Sequence, residues 1–415
     1  MTRKSSIASF RGVSVLLCCL IAGFWIPLWA AKQHKDEPEA YRYTYDYLFM
    51  IDALIRSERY QKAREELDSL LDRVKQKPNE TALVRQAYGY LSIGLNDYKA
   101  AIDHFLFAID SGALPENIKH DLRYTLAQLL YQEGRSREGL VQLDKWLAQE
   151  KQPHPQSRVL QARLYHALNH WKKAVKALKI AISEVDQPNE SWYQMLVGIY
   201  LEKERLKQAA PILQKMVKLF LDKAQYWQQL TGVLLHLGRD SQASAMLSLA
   251  AEKGLLKEES LLRLARLTIS QNRPMDAAEL LQSKLVSREI KHSSENLNLL
   301  VDAWLLARDQ QQALVVLEQL ATIDNSGKPQ LRAGRVLMES EQWKAAAAQL
   351  KRGIKLSDKP SFDDWIILGN ANYRNQKHAA AKSSFEAARL LVGNTKQRKL
   401  ADSWLEYLTP HDQMQ

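Results

Sequence analysis

Cysteine is almost missing: the chain of 415 residues has two, Cys18 and Cys19, adjacent in one apolar run near the N-terminus. The remaining chain therefore has no means of forming disulfide scaffolds, CxxC redox pairs, thiolate zinc sites or a cysteine nucleophile. Glycine and proline are also scarce, at 16 and 12, which excludes collagen-like and low-complexity classes. HExxH, GxSxG, GxGxxG and GxxxxGK[ST] are all absent, so the usual zinc-hydrolase, nucleophile-elbow, dinucleotide and P-loop signatures are too. No block of like charge dominates. The balance is 58 Lys/Arg against 47 Asp/Glu, net +11, and the signs are interspersed. That permits an acidic partner or membrane surface without demanding one, and it gives no single basic stripe for nucleic acid. What the chain does have is 46% hydrophobic and 25% charged residues, a composition that can build a core.

The first thirty residues are of another kind. Arg3, Lys4 and Arg11 are followed by the uncharged run Val13 to Ala30, interrupted by Pro27 and ending Leu28-Trp29-Ala30. Basic, apolar and small-residue segments in that order make a secretory signal over 1–30. The alternative is an uncleaved membrane anchor, since 18 helical residues at about 1.5 Å each reach roughly 27 Å. Either reading sends the rest of the chain out of the cytoplasm, into the periplasm. Without residues 1–30 the charge balance is 55 against 47.

Beyond a polar linker over 31–44, one unit repeats ten times. A small residue stands at Ala63, Ala101, Gly139, Ala174, Ala209, Ala243, Ala277, Ala313, Ala346 and Ala381, in steps of 33 to 38. Four residues after each comes a large apolar one: Leu67, Phe105, Leu143, Leu178, Leu213, Leu247, Leu281, Leu317, Leu350 and Phe385. An i, i+4 pair shares a helix face, and a small residue one turn before a large one lets two axes approach. Twelve before the ladder residue a second small residue recurs, as at Gly89, Ala127, Ala162, Ala265, Gly334 and Gly369; Val197, Thr231 and Val301 are looser. Prolines such as Pro78, Pro115, Pro155 and Pro329 fall between units, where helices stop and start. Each unit is therefore a helix, a turn and a helix. One pair has too little apolar surface to stand alone, so the pairs must stack.

These residues resemble the tetratricopeptide repeat, most fully at Trp365-Ile366-Ile367-Leu368-Gly369 with Ala381, Phe385 and Ala388. The resemblance implies an all-α, right-handed solenoid over 45–392 and a binding scaffold rather than a specific activity. Leu400, Trp404 and Leu408, four apart, read as a capping helix over 394–409. Gly139 departs from the alanine pattern at a cost of about 1 kcal/mol in helix propensity. Pro211, inside a second helix, should kink it.

Candidate chemistry is thin. His166 and His170 are four apart, but His154 nearby completes no ligand set, so no metal, cofactor or catalytic residue is assigned. Glu65-Glu66 and Glu202 with Glu204 read as exposed helix faces. The chain is read as non-enzymatic. In the family the first helix of each pair lines the concave face, and positions fifteen, eleven and eight before the ladder residue turn inward. That places Tyr124, Gln128, Tyr131, Arg163, His166, Gln194, Leu201, Gln228, Arg266, Asn298, Asp302, Arg335, Asn370 and Tyr373 in a partner-binding groove. The set lacks the Lys/Asn arrangement of carboxylate-clamp repeats, so a C-terminal carboxylate ligand is disfavoured.

The stretch from Ser191 to Ala388 is similar to periplasmic tetratricopeptide proteins encoded beside TonB, ExbB and ExbD components. Tyr226-Trp227, Gly254-Leu255-Leu256, Pro274 with Ala277-Ala278, and Asp302-Ala303-Trp304 carry the likeness. It implies an accessory scaffold of the inner-membrane complex that energises outer-membrane uptake of iron chelates. The alternative is an envelope assembly scaffold handling pilus, polysaccharide or outer-membrane components.

Overall fold

The computed structural model describes residues 39–408, and the side chains from residue 43. The signal or anchor assigned to 1–30 lies outside the described residues, as does most of the linker. The end of that linker does not hold as drawn: helix begins at Glu39, not at residue 45. No described helix is long and apolar enough to cross a membrane.

Among the described residues there are 21 α-helices and no strand. They form ten pairs, from α1 (Glu39–Arg56) with α2 (Tyr60–Val74) to α19 (Phe362–Arg374) with α20 (His378–Leu390), and a final helix α21 (Thr395–Leu408). The chain divides into two compact units, 1–199 and 200–415, with the division inside α9 (Glu190–Glu202). Within the first unit α1 to α8 (Trp171–Ser183) pack in chain order, and first helices also touch one another, α1 on α3 (Pro78–Gly94) and α5 (Glu116–Gln132) on α7 (Pro155–Ala167). Within the second unit α10 to α21 pack in the same way, with α17 touching α19.

The ladder is the core. Every one of its ten small and ten large residues is buried, and Ala63, Ala243, Leu67, Phe105 and Phe385 are among those at 2% exposure or less. The second small position explains itself by contact. A Cβ on Gly89 would lie 2.1 Å from Phe105, one on Gly369 2.5 Å from Phe385, and one on Gly334 2.5 Å from Leu350. The small residue of the first helix thus receives the large residue of the second, and glycine sets how closely the two axes approach.

The turn inside each pair follows one geometry. The residue five before the ladder position has positive φ in all ten: Glu58, Asn96, Gly134, Asn169, Glu204, Gly238, Asn272, Arg308, Glu341 and Gln376. The next residue donates its backbone N–H to the carbonyl five residues back, as in Arg59 to Leu54, Asp97 to Ser92, Arg239 to Leu234 and Lys377 to Asn372, at 2.8–2.9 Å. This is a Schellman closure, which satisfies the last carbonyls of the first helix and reverses the chain in a single step. Gly134 and Gly238, and less strongly Asn96, Asn169 and Asn272, suit that conformation, whereas the other five positions hold Glu, Arg or Gln, which accept the left-handed region at a cost.

Between pairs, prolines begin helices: Pro78 in α3 (Pro78–Gly94), Pro155 in α7 (Pro155–Ala167) and Pro329 in α17 (Lys328–Glu339). Pro274 opens a second helix, α14 (Pro274–Val286). Helix α10 (Leu206–Leu219) runs through Pro211 as one assigned helix. At the C-terminal end, Trp404 of α21 stacks on Phe385 with rings 4.9 Å apart and 8° from parallel. The capping helix therefore covers the last large ladder residue, with Trp404 and Leu408 in the cluster as their spacing implied, while Ala401 is buried there and Leu400 is exposed.

Candidate functional site

The residues assigned to a groove all lie on first helices, and the two units use them differently. In the first unit, Tyr124, Gln128 and Tyr131 belong to α5 (Glu116–Gln132), and Arg163 and His166 to α7. Tyr124 is not a free groove residue. Its ring lies 4.9 Å from Trp146 and 4.9 Å, edge-on, from His154. Burial pushes its hydroxyl up to about 12, against the pull of the Arg163 charge. Tyr131 joins the same packed cluster, which holds Leu143, Trp146, Leu160 and Leu164. Gln128 is exposed, and Arg163 and His166 are half-buried.

Two histidines flank that cluster. His120 stacks on Trp146 with centroids 5.4 Å apart, and its ring nitrogens meet Gln149 at 3.3 Å and Glu150 at 3.2 Å. The Glu150 carboxyl is held down by the Gln152 backbone N–H and by His120. His154 caps α7, its Nδ1 accepting the Ser157 backbone N–H at 3.2 Å. That hydrogen bond requires an unprotonated Nδ1, and burial also lowers the ring's proton affinity. His154, His166 and His170 do not converge on a metal geometry, and no group of three metal-ligating side chains occurs among the described residues.

Gln194 is exposed on α9, 3.3 Å from Glu190. In the second unit Leu201 is half-buried and Gln228 is exposed. The next four assigned residues join a ladder of ion pairs and hydrogen bonds that runs from one first helix to the next. Arg266 of α13 (Glu258–Ser270) reaches Glu295 of α15 (Ser294–Leu306) at 3.2 Å. Arg332 of α17 donates to Asn298 at 3.3 Å and to Asp302, both on α15. Arg335 then crosses to Asp364 of α19 at 2.7 Å. Asp364 is buried and closes a capping box with Ser361, so this last rung is a structural fastener. Asn370 is half-buried, and Tyr373 is taken by the capping helix, with its hydroxyl 3.1 Å from that of Tyr407 and its ring 5.6 Å from Trp404.

Between the first two rungs lies an open depression of about 570 Å³. Ile269, Leu299, Leu305 and Leu306 form its apolar lining, with Arg266, Asp302 and Arg332 around them. The inward count identifies Ile269 and Leu305 as well, at eight before Ala277 and Ala313, but a search limited to polar and aromatic groove residues passes over them. Arg332 and Glu295 escape the count altogether. A helix advances about 100° per residue, so Arg332, one position off the count, and Glu295, nearly a full turn before it, can still reach the same face through long side chains.

Residues 331–392 match the tetratricopeptide repeat family model. No curated protein matches the chain. Among solved structures, the chain is similar to one in the Naa15/Naa10 complex bound to HypK-THB, with 12% identity and a TM-score of 0.42. That match covers 87% of this chain and spans 66% of the other. It is similar to YrrB, described as a tetratricopeptide protein with an unusual peptide-binding site, at 14% identity and TM-score 0.36, over 47% of this chain and all of YrrB. Yeast Tom70 matches at 13% identity and TM-score 0.31, over 90% of this chain and 97% of its own. The fold is an all-α architecture of helix–turn–helix pairs, and the pairs within 331–392 are the ones that match the tetratricopeptide repeat model.

Proposed function

We propose that the protein is a protein–protein interaction scaffold of the bacterial periplasm, acting beside a TonB–ExbB–ExbD complex in the uptake of iron chelates. The observation that carries the scaffold reading is the second unit's row of first helices. Four of them, α13, α15, α17 and α19, are joined through side chains that leave an apolar depression open to solvent. Packed helices hold such a surface without rearrangement, and arginine beside exposed aliphatic carbon is the composition that anchors a partner's segment. The periplasmic setting rests on the basic-then-apolar order of residues 1–30, and the energy-transduction role on the likeness of Ser191 to Ala388. The competing assignment is an envelope assembly scaffold.

The deciding experiment is photo-cross-linking from Gln228 in cells, followed by identification of partners in periplasmic and inner-membrane fractions. Capture of TonB, ExbB or ExbD, with impaired growth on chelated iron when the gene is deleted, is the expected result. Capture of pilus, polysaccharide or outer-membrane assembly components with normal growth on chelated iron would move the protein to the competing class.

A further inference from the structure

From the depression on the second unit we infer a specific ligand chemistry: a peptide segment presenting one large apolar side chain with a carboxylate within about one helical turn of it. The inference rests on the scaffold reading above and adds to it a location and a recognition code.

The apolar half of the code follows from what lines the depression. Leu306 is 58% exposed, and Ile269, Leu299 and Leu305 are half-buried beside it. Exposed aliphatic carbon gathered in a concave place gains most from covering by a side chain of complementary size.

The charged half follows from which rung can be exchanged. Arg332 is held by two α15 partners, Asp302 and Asn298, and its side chain is only 29% exposed. A basic ligand competing for Asp302 would have to strand that half-buried guanidinium, which is costly. Arg266 stands differently. It is 52% exposed, and its one cross-helix partner, Glu295, is 79% exposed at 3.2 Å. An exposed pair of this kind contributes little, and a displaced Glu295 returns to water at no loss. Arg266 lines the depression and Glu295 does not, so a carboxylate seated beside the apolar lining can replace Glu295 on Arg266, whereas the acid a cation would meet there, Asp302, is already held by Arg332. The Arg332–Asp302–Asn298 contacts stay in place as the fixed wall, and Arg266 is the open charge.

The test uses the full chain as bait for a displayed library of random twelve-residue peptides, followed by affinity measurement with the best peptide in synthetic, end-blocked form. Enriched sequences should pair Leu, Ile, Met or Phe with Asp or Glu within four residues. Leu306→Arg and Arg266→Glu, both at exposed positions, should each weaken the synthetic peptide at least tenfold while leaving the melting temperature unchanged. Arg266→Glu should also shift selection toward Lys and Arg flanks, a change that a merely structural Arg266 would not produce. Enrichment of basic peptides by the wild-type chain would overturn the proposal, and so would undiminished binding to both variants. In the latter case, loss of binding on Gln228→Arg would keep the inner-face scaffold while discarding this location. A library that yields no binder at all removes the peptide-docking reading together with the proposal.

Discussion

At the scale of single residues, the repeat is a set of positions where one carbon atom decides the outcome. Gly369 has Phe385 where its Cβ would go, so Gly369→Ala should overpack the last pair and cost about 1–3 kcal/mol. Gly232, in the middle of α11 (Ala224–His236), has nothing within 4 Å of the same atom. Gly232→Ala should therefore stabilise by about 0.5–1 kcal/mol through helix propensity. Thermal melts of the two variants should shift in opposite directions, and shifts of the same sign would mean that Gly369 does not set the helix spacing. Gly139 lies between these limits. Its Cβ would fall 3.0 Å from Leu164 and 3.2 Å from a backbone oxygen, so glycine there is fitted to its neighbours rather than a lapse from the alanine pattern. A second residue-scale device responds to pH. His154 must be unprotonated at Nδ1 to cap α7, and burial depresses its pKa below the ordinary 6.5. Its contribution to stability is therefore complete above about pH 6.5 and is lost as pH falls below that value, while the unfolded chain takes up the proton first. Glu150 opposes the shift and His120 shares the cluster. His154→Asn keeps a capping oxygen without a titrating ring. It should lose less melting temperature between pH 7 and pH 5 than the wild type, and parallel losses would exclude His154 as the titrating cap.

At the scale of the helix, the turn geometry matters more than the turn sequence. Ten left-handed residues close ten first helices, yet five of them are Glu, Arg or Gln, which pay for that conformation. Arg308, exposed and at φ 62°, offers the simplest case: Arg308→Gly should raise stability by up to about 1 kcal/mol in a denaturant melt. A loss instead would mean that the arginine side chain fastens the turn. The helices that follow are also poorly capped. Arg239 precedes α12 (Asp240–Glu252) with no side-chain cap, whereas Asp97 and Asp309 each accept a backbone N–H at 3.0 Å. Legibility follows the same division. The helix pairs, their register and the capping helix could be read from the sequence because burial imposes an i, i+4 pattern on residue size. The turns left only a partial trace, Gly or Asn at five of the ten left-handed positions, since backbone closure tolerates many side chains. The candidate site was half legible: Arg266, Asn298, Asp302 and Arg335 follow from counting, but their partners Glu295, Arg332 and Asp364 belong to neighbouring pairs at other offsets. Tyr124 and Tyr373 were readable as first-helix residues. Their absorption into packing against Trp146 and Tyr407 depends on side-chain direction, which the repeat does not encode.

At the scale of the whole molecule, each helix packs mainly on those one or two places away along the chain. Stability is then close to a sum of pair and interface terms, and damage stays local. Trp404→Ala removes the ring stacked on Phe385. It should speed amide hydrogen exchange across 362–408 while leaving 43–180 unchanged, as read by mass spectrometry. An increase throughout the chain would mean that the pairs melt as one. The same nearest-neighbour wiring has a mechanical consequence. In a protein whose ends are joined through a sheet, tension meets one large barrier. Here a pull along the chain would meet one modest barrier after another, each yielding a pair of about 34 residues, on the order of 110 Å of contour at about 3.3 Å per residue. The protein should therefore lengthen under load as a shallow, evenly stepped spring, reclosing pair by pair when the load is released.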